Sequence, residues 1–574
     1  MFPQFSSPPG PKGLLFLFCF LQPLAAVHSA EHDQDFEQLG SILPEGNEVR
    51  LASGAPGPDY WQQEANYLIE TELDERNSKI LGNQTIEYVN HSPHVLRYLW
   101  VQLDQNAFKM DSKRSRVRWP LPFEEESGKP AEIEFDSFRS FVYNQEFRGG
   151  YGLTHVTDSA GQNLDITVVH TNMRVDLPEP LQPGQSFSFK IGWEFNIVDE
   201  ALAFRYGRRK LKEGDYAYHI AQWYPRMCAY YDRQGWQVKP YIGAGEFALE
   251  FGRFEVRITA PDDYVVAATG QLVNPEEVLS PTQRERLQRA QTSNRPVMIV
   301  SEEEAKDNLD RKSRQKKTWI FQAEKVRDFA FAASRGYLWD AMGVEVDGQT
   351  VMAMSVYPPE SIPLWQRFST EAVAQALRKY SEMVYPYPYP VAWSAWGAEG
   401  GMEYPMISFQ TSRDIDEKGT YPMRHRGYLI GVVIHEVGHN WFPMIINNDE
   451  RNWMWMDEGL NSFVDHLAGS EFDPVLQKRN LRSEKEVIET MTQKDDPVIM
   501  TAADNMTRAG YQAYSKPTLG LMVLREGILG RKLFDFAFQE YARRCPYHGR
   551  CQRSRSGLVL AGLVFWKRPR GHVH

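Results

Sequence analysis

Two histidines four residues apart, His435 and His439, stand in the string HEVGH, and a carboxylate returns after eighteen intervening residues as Glu458. Residues four apart on a helix share a face. The two imidazoles can therefore hold a single zinc ion at about 2.0–2.1 Å, with Glu458 as the third protein ligand and a fourth position open, as a catalytic zinc requires. Glu436, beside His435, is placed to take a proton from water at the metal rather than to ligate it. The chemistry implied is metal-assisted hydrolysis, with one zinc ion per chain.

Such a site needs two helices and a turn. Leu429, Val432, Val433, Val437 and Trp441 make an apolar segment that predicts a buried helix from Tyr428 to Phe442. Asn447, Asn448, Asp449 and Asn452 predict a loop, after which WMWMDEGLNSFVDHLAG resumes as a second helix carrying Glu458 towards the metal. Structural histidines in a chance HExxH string are the alternative; the helical context and the returning carboxylate count against it.

HEVGHNWF followed at this spacing by MDEGL resembles the aminopeptidase N and leukotriene hydrolase family of zinc metallopeptidases, peptidase family M1, the gluzincins with a thermolysin-like catalytic domain. The chain resembles a bacterial-type member of that family. WGAEGGMEYP, residues 396–405, looks like that family's Gly-X-Met-Glu-Asn motif, and AYSKP, residues 513–517, looks like the stretch bearing its catalytic tyrosine. The resemblance implies that GGMEYPMISFQ is an edge strand beside the zinc, to which a substrate backbone can add. It also implies that Gly400, Gly401, Met402 and Glu403 bind substrate, with Glu403 receiving the free α-ammonium, which makes the enzyme an exopeptidase. Gly401 replaces the usual Ala and Tyr404 the usual Asn.

By the same resemblance Tyr514 stabilises the oxyanion, with Tyr511 as a rival three residues earlier. AQWYPRMCAYYD looks like the segment in which a Gln and then a Glu approach the amine. Gln222 is kept, Tyr224 stands where the acid is common, and a structural role for both is the alternative to a binding one.

A 42% hydrophobic share with 24% charged residues describes a soluble globular chain, and the net charge of -11 argues against a nucleic-acid partner. At 574 residues it can hold two or three domains. Residues 1–30 read as a secretory signal peptide. Lys12 precedes the apolar run LLFLFCFLQPLAAV, and small residues around Ser29 and Ala30 offer a cleavage site. The run is shorter than the roughly 20 residues of a spanning helix, although an uncleaved anchor is the alternative. No other stretch could cross a bilayer, so export to a periplasmic or extracellular location is expected, with no membrane span after cleavage. Of the four cysteines, Cys19 leaves with the signal, Cys228 remains, and Cys545 could pair with Cys551.

The expected fold class is α+β. A linker at 31–59 leads to an antiparallel β domain at 60–342, and a thermolysin-like, α-rich catalytic domain follows at 343–544. In SFSFKIGWEF, Phe187, Phe189, Ile191, Trp193 and Phe195 alternate with Ser, Lys, Gly and Glu, and FEVRITA repeats the pattern. By resemblance this is the family's saddle-shaped β domain. Residues 276–317 are charge-dense and predict a solvated helix and loop.

Residues 545–574 contain no Asp or Glu and match nothing in the family, whose members continue with further helices. The catalytic domain is then incomplete and leaves Phe534, Phe536 and Phe538 exposed; a genuine basic tail is the alternative. The reading is a zinc aminopeptidase acting on peptides with a free N-terminus. Its rivals are a peptide-binding scaffold that has lost turnover and a zinc hydrolase of a non-peptide substrate.

Overall fold

The computed structural model describes residues 47–50, 56–118, 146–199, 205–243, 245–397, 400–411, 420–473, 488–489, 491, 496–499 and 502–544. The expected signal segment, most of the linker, and the tail with Cys545 and Cys551 lie outside the described residues. Cys228 is a buried free thiol. Among the described residues, no helix is long and apolar enough to cross a membrane.

The first half is built from sheets, as the alternation requires. A seven-stranded sheet runs, in spatial order, Gln271–Leu272, Lys316–Val326, Gly252–Pro261, Glu64–Asp74, Lys79–Val89, Ser186–Asn196 and Gly152–Asp158. Neighbours are antiparallel except Glu64–Asp74 with Gly252–Pro261. Phe254, Val256 and Ile258 are fully buried while Glu255, Arg257 and Thr259 between them are half-buried, so the period of two in the sequence is the period of the core. Two four-stranded sheets and a two-stranded one complete this part among the described residues.

A six-stranded sheet follows, in the order Val297–Val300, Leu338–Val346, Gln349–Tyr357, Val391–Trp396, Ile407–Gln410 and Gly401–Tyr404. Gly401–Tyr404 is its edge strand. The sheet takes strands from both sides of the expected boundary at 342/343, which falls inside Leu338–Val346. A hairpin cannot be divided between cores, so Leu338–Val346 belongs with its partner Gln349–Tyr357. The charge-dense stretch is also more ordered than its composition suggests. It holds the strand Val297–Val300, and Ser280 and Ser301 close capping boxes on the helices Pro281–Ala290 and Glu302–Arg311.

Against the six-stranded sheet lies the helix Leu364–Met383, which buries Trp365, Ser369, Val373, Ala376 and Tyr380 at helical spacing. Its neighbours are the histidine helix, Met423–Gly438, and the glutamate helix, Leu460–Phe472. The last described helix, Arg531–Arg544, corrects one expectation: Phe534 and Phe538 are 2% and 3% exposed, and only Phe536, at 60%, faces outward. Residues four apart share a face, and this pair packs edge-to-face against Phe463, with ring centroids 5.3 and 5.5 Å away.

Asp340 is buried under this layer and accepts hydrogen bonds from the hydroxyls of Tyr357 and Thr370. Burial pushes its pKa up to about 7 from 3.8, against the pull of those two bonds. The folded state therefore holds a proton that the unfolded chain has released. The associated stability is complete below pH ~4 and declines towards pH 7 at on the order of 1 kcal/mol per pH unit. Asp340→Asn is expected to flatten that slope in denaturant titrations at pH 5, 6 and 7.

Candidate metal centre

The histidine helix begins five residues before the expected Tyr428 and ends at Gly438, giving way to a kinked turn at Asn440–Ile445 in which Phe442 leaves helical geometry (φ -122°, ψ 99°). Pro443, within that turn, has no N–H to continue an α-helical ladder. Glu458 lies in a π-helical turn, Trp455–Gly459, that runs into the glutamate helix, and Tyr514 in another, Gly510–Ser515. Inserted π turns change which side chains face one way and recur at functional sites.

His435 Nε2 and His439 Nε2 are 3.2 Å apart, His435 Nε2 lies 3.2 Å from Glu458 Oε2, and His439 Nε2 lies 3.3 Å from the same oxygen. The three atoms form a nearly equilateral triangle. A tetrahedral zinc with arms of about 2.0–2.1 Å requires ligand atoms about 3.3–3.4 Å apart, so this donor set fits one zinc ion.

Each imidazole is aimed by its other nitrogen. His435 Nδ1 is 2.5 Å from Asp465 Oδ2; His439 Nδ1 is 2.7 Å from the Phe442 carbonyl oxygen and 2.8 Å from Asp457 Oδ1. Carboxylates in this position fix tautomer and ring orientation. Asn461 Nδ2 donates to the His435 carbonyl (2.8 Å), and Tyr380 donates to Asn461 Oδ1 (2.6 Å). Gly438 lets this contact form, because a Cβ there would lie 2.1 Å from the Tyr380 hydroxyl.

Carboxylates outnumber the imidazoles. Burial alone lowers the His435 pKa, yet hydrogen bonds to Asp465 and Glu458 outweigh it and raise it to about 10. Burial works against the Glu458 carboxylate, but His439 and the hydrogen bonds from both imidazoles hold its pKa below the ordinary carboxylate range. Burial pushes Glu436 up to about 7 against the two imidazoles. Positive charge is what this cluster lacks, and a divalent cation supplies it. Glu436 Oε2 is buried without a hydrogen-bond partner in the protein. Its other oxygen lies against the edge strand, 1.9 Å from where a Cβ on Gly401 would be. The glycine therefore gives Glu436 room that an alanine would take.

The edge strand is tied to the same helix. Asn440 Oδ1 accepts from Met406 N (2.8 Å), and Tyr428 donates to the Gly400 carbonyl (3.0 Å). Glu403 is 5% exposed, with a carboxylate oxygen within 4.8 Å of a His439 ring nitrogen. Met402 points the other way, into the core. Gln222 meets the strand one residue beyond Glu403: its Nε2 donates to the Tyr404 hydroxyl (2.8 Å). Tyr224 donates to Asp328 (2.8 Å) inside the β part.

Tyr514 donates to Glu458 Oε1 (2.5 Å), whereas Tyr511 donates to Asp496 (2.9 Å). A cavity of about 280 Å³, lined in part by Tyr428, Val432, His435, Asp465 and Tyr514, opens beside the triangle.

Residues 368–552, which contain every candidate ligand, match the sequence model of the peptidase family M1 domain. That stretch of the chain is similar to the peptidase family M1 domain. Aminopeptidase M1-A of Oryza sativa subsp. japonica is 29% identical over 115 residues, 19% of this chain and 13% of that protein, so the matched stretch spans a small part of that relative's length. A variant of the M1 zinc metallopeptidase of Deinococcus radiodurans shares the fold, with TM-score 0.54 at 14% identity over 89% of this chain and 94% of that one. The same variant bound to a Tyr-Ser-Ala substrate gives TM-score 0.52 at 14% identity, over 89% and 93%. The α+β architecture is thus shared with M1 zinc metallopeptidases, and the His435, His439 and Glu458 triangle lies within the stretch that matches the M1 domain.

Sequence reasoning missed Asp457, Asp465 and Glu246. Asp465 had a signal, since it follows Glu458 by seven residues and so shares its helix face. Asp457 had none, because adjacent residues on a regular helix diverge. Glu246 is gripped by Arg205 at 2.5 and 2.6 Å and adds to the charge felt by Glu403 and Glu436. Removing an aiming carboxylate typically weakens metal binding about 10–100-fold. Asp465→Asn is accordingly expected to weaken zinc binding to that extent in a chelator competition.

Proposed function

We propose that this chain is a zinc aminopeptidase that removes N-terminal residues from peptides, with one zinc ion per chain on His435, His439 and Glu458. The observation that carries the reading is the buried Glu403 carboxylate on an edge strand beside the ligand triangle. An extended peptide added to that strand meets Glu403 with its α-ammonium, so its first carbonyl falls at the metal. A blocked terminus has no charge to offer there. The substrate complex of the Deinococcus radiodurans protein supports a peptide as the ligand class.

The zinc, when bound, polarises the scissile carbonyl and acidifies water. Glu436 takes the proton of the attacking water and returns it to the leaving amine. Gly400, Gly401 and Met402 supply backbone to the substrate strand, while Gln222 steadies that strand through Tyr404. Tyr514 re-aims its O–H from Glu458 to the developing oxyanion. Tyr511 is engaged by Asp496 and takes no part. Tyr514→Phe is expected to lower kcat about 10²–10³-fold with zinc content unchanged, and Tyr511→Phe to leave kcat near the wild-type value; steady-state kinetics on one aminoacyl reporter checks both.

Export is part of the proposal, supported by the pattern of residues 1–30, with a periplasmic or extracellular destination. The deciding experiment measures zinc content alongside amino-acid release from free and N-acetylated peptides. A zinc-loaded protein that releases no amino acid would overturn the aminopeptidase assignment in favour of a scaffold or a hydrolase of another substrate.

A further inference from the structure

The loop joining the two ligand-bearing segments is buried and polar. Asn447, Asn448, Asp449, Glu450 and Arg451 are each at most 7% exposed. Five consecutive polar side chains are costly inside a protein unless they are paired. Four of the five, all but Asn448, find partners in the β part. Arg327 Nη1 donates to Asn447 Oδ1 (2.7 Å), and Arg327 Nη2 pairs with Glu450, the two side chains being 3% and 1% exposed. The Tyr231 hydroxyl donates to Asp449 Oδ2 (2.5 Å), and Arg451 Nη2 to the Pro240 carbonyl (2.7 Å).

Arg327 is itself held. The next residue, Asp328, accepts from Tyr224 (2.8 Å) and from Arg226 (2.5 Å), and Arg226 also pairs with Asp104 (2.8 Å). Adjacent residues thus face opposite ways, one into the β core and one into the catalytic loop. From that loop the chain passes directly into the π-helical turn that carries Glu458, with Trp453 N donating to the Asp449 carbonyl (2.9 Å) on the way.

We propose that Arg327 is a positioning residue for the metal centre, acting through Glu450 and Asn447 to set where Glu458 returns to the two histidines. The β part then does more than hold substrate: it fixes the third corner of the ligand triangle. This rests on the zinc reading above.

The test is the rate at which the zinc-loaded protein surrenders its metal to excess chelator. Arg327→Met should lose zinc about tenfold faster than wild type, the low end of the effect of outer-shell partners. Arg327→Lys, which keeps the charge, should recover part of the difference. Arg335→Met is the control. Arg335 is equally buried, but its partners Asp215, Glu75 and Asp263 all lie in the β part. Its loss should lower Tm and leave the zinc-loss rate at the wild-type value.

A wild-type rate in Arg327→Met, or equal acceleration in Arg335→Met, overturns the proposal. Should Arg327→Met not fold, Glu450→Gln and Asn447→Ala probe the same contact from the loop, and wild-type rates in both overturn it equally. A wild-type protein that takes up no zinc would instead defeat the metal assignment on which the proposal rests, before any variant is made.

Discussion

Glu436→Gln is expected to keep its zinc and lose nearly all turnover. The three ligand atoms belong to His435, His439 and Glu458, so the substitution leaves the triangle intact. Its amide fills the same buried space against Gly401. What disappears is a base. Glu436 Oε2 has no protein partner competing for it, and its pKa, pushed by burial to about 7, suits it to accept a proton and hand it on near neutral pH. General acid–base catalysis of this kind contributes about 10²–10⁴-fold, and an amide supplies none of it. Metal analysis and kcat on the same preparation decide the matter; unchanged turnover with full zinc occupancy would remove Glu436 from the mechanism.

Acetylating a substrate's amine is expected to abolish cleavage, and Glu403→Ala to cut kcat/KM for free-amine substrates about 10–100-fold, the size of a lost hydrogen bond to a charged group. Both KM and kcat should move, because the same contact binds the terminus and registers the scissile carbonyl. Glu403 is buried beside His439 and near Asp457, and Glu246 adds further negative charge, so an ammonium entering here meets acids already assembled. In Glu403→Ala the discrimination between free and blocked peptides should shrink with the rate. Equal cleavage of blocked and free peptides by the wild type would make this protein an endopeptidase and detach Glu403 from its proposed role.

Elements whose residues act through local spacing were legible in the amino-acid order alone. HEVGH on a helix gives two imidazoles on one face, and the alternation in FEVRITA gives a buried strand face, because these periods are properties of the backbone. The place of Glu458 was legible for a related reason: a turn and a helix of that length can bring a carboxylate back. The edge strand and Tyr514 rested on resemblance; in the fold the Tyr514 hydroxyl donates to Glu458 and that of Tyr511 to Asp496.

The remaining features depend on packing between distant segments. Asp457 and Glu458 both reach His439, the first at Nδ1 and the second at Nε2, because the imidazole is packed against the turn that carries them and offers one ring edge to each. Phe534 and Phe538 are covered because Phe463 lies opposite them, a contact between residues some seventy positions apart in the chain. Asn447, Asn448, Asp449 and Asn452 predict a loop by composition, and the run from Asn447 to Arg451 is buried because Arg327, Tyr231 and Pro240 converge on it from the β part. Spacing fixes which side chains leave a helix or strand together; what they meet depends on packing between distant segments, and the charge and accessibility of the metal centre follow from that packing.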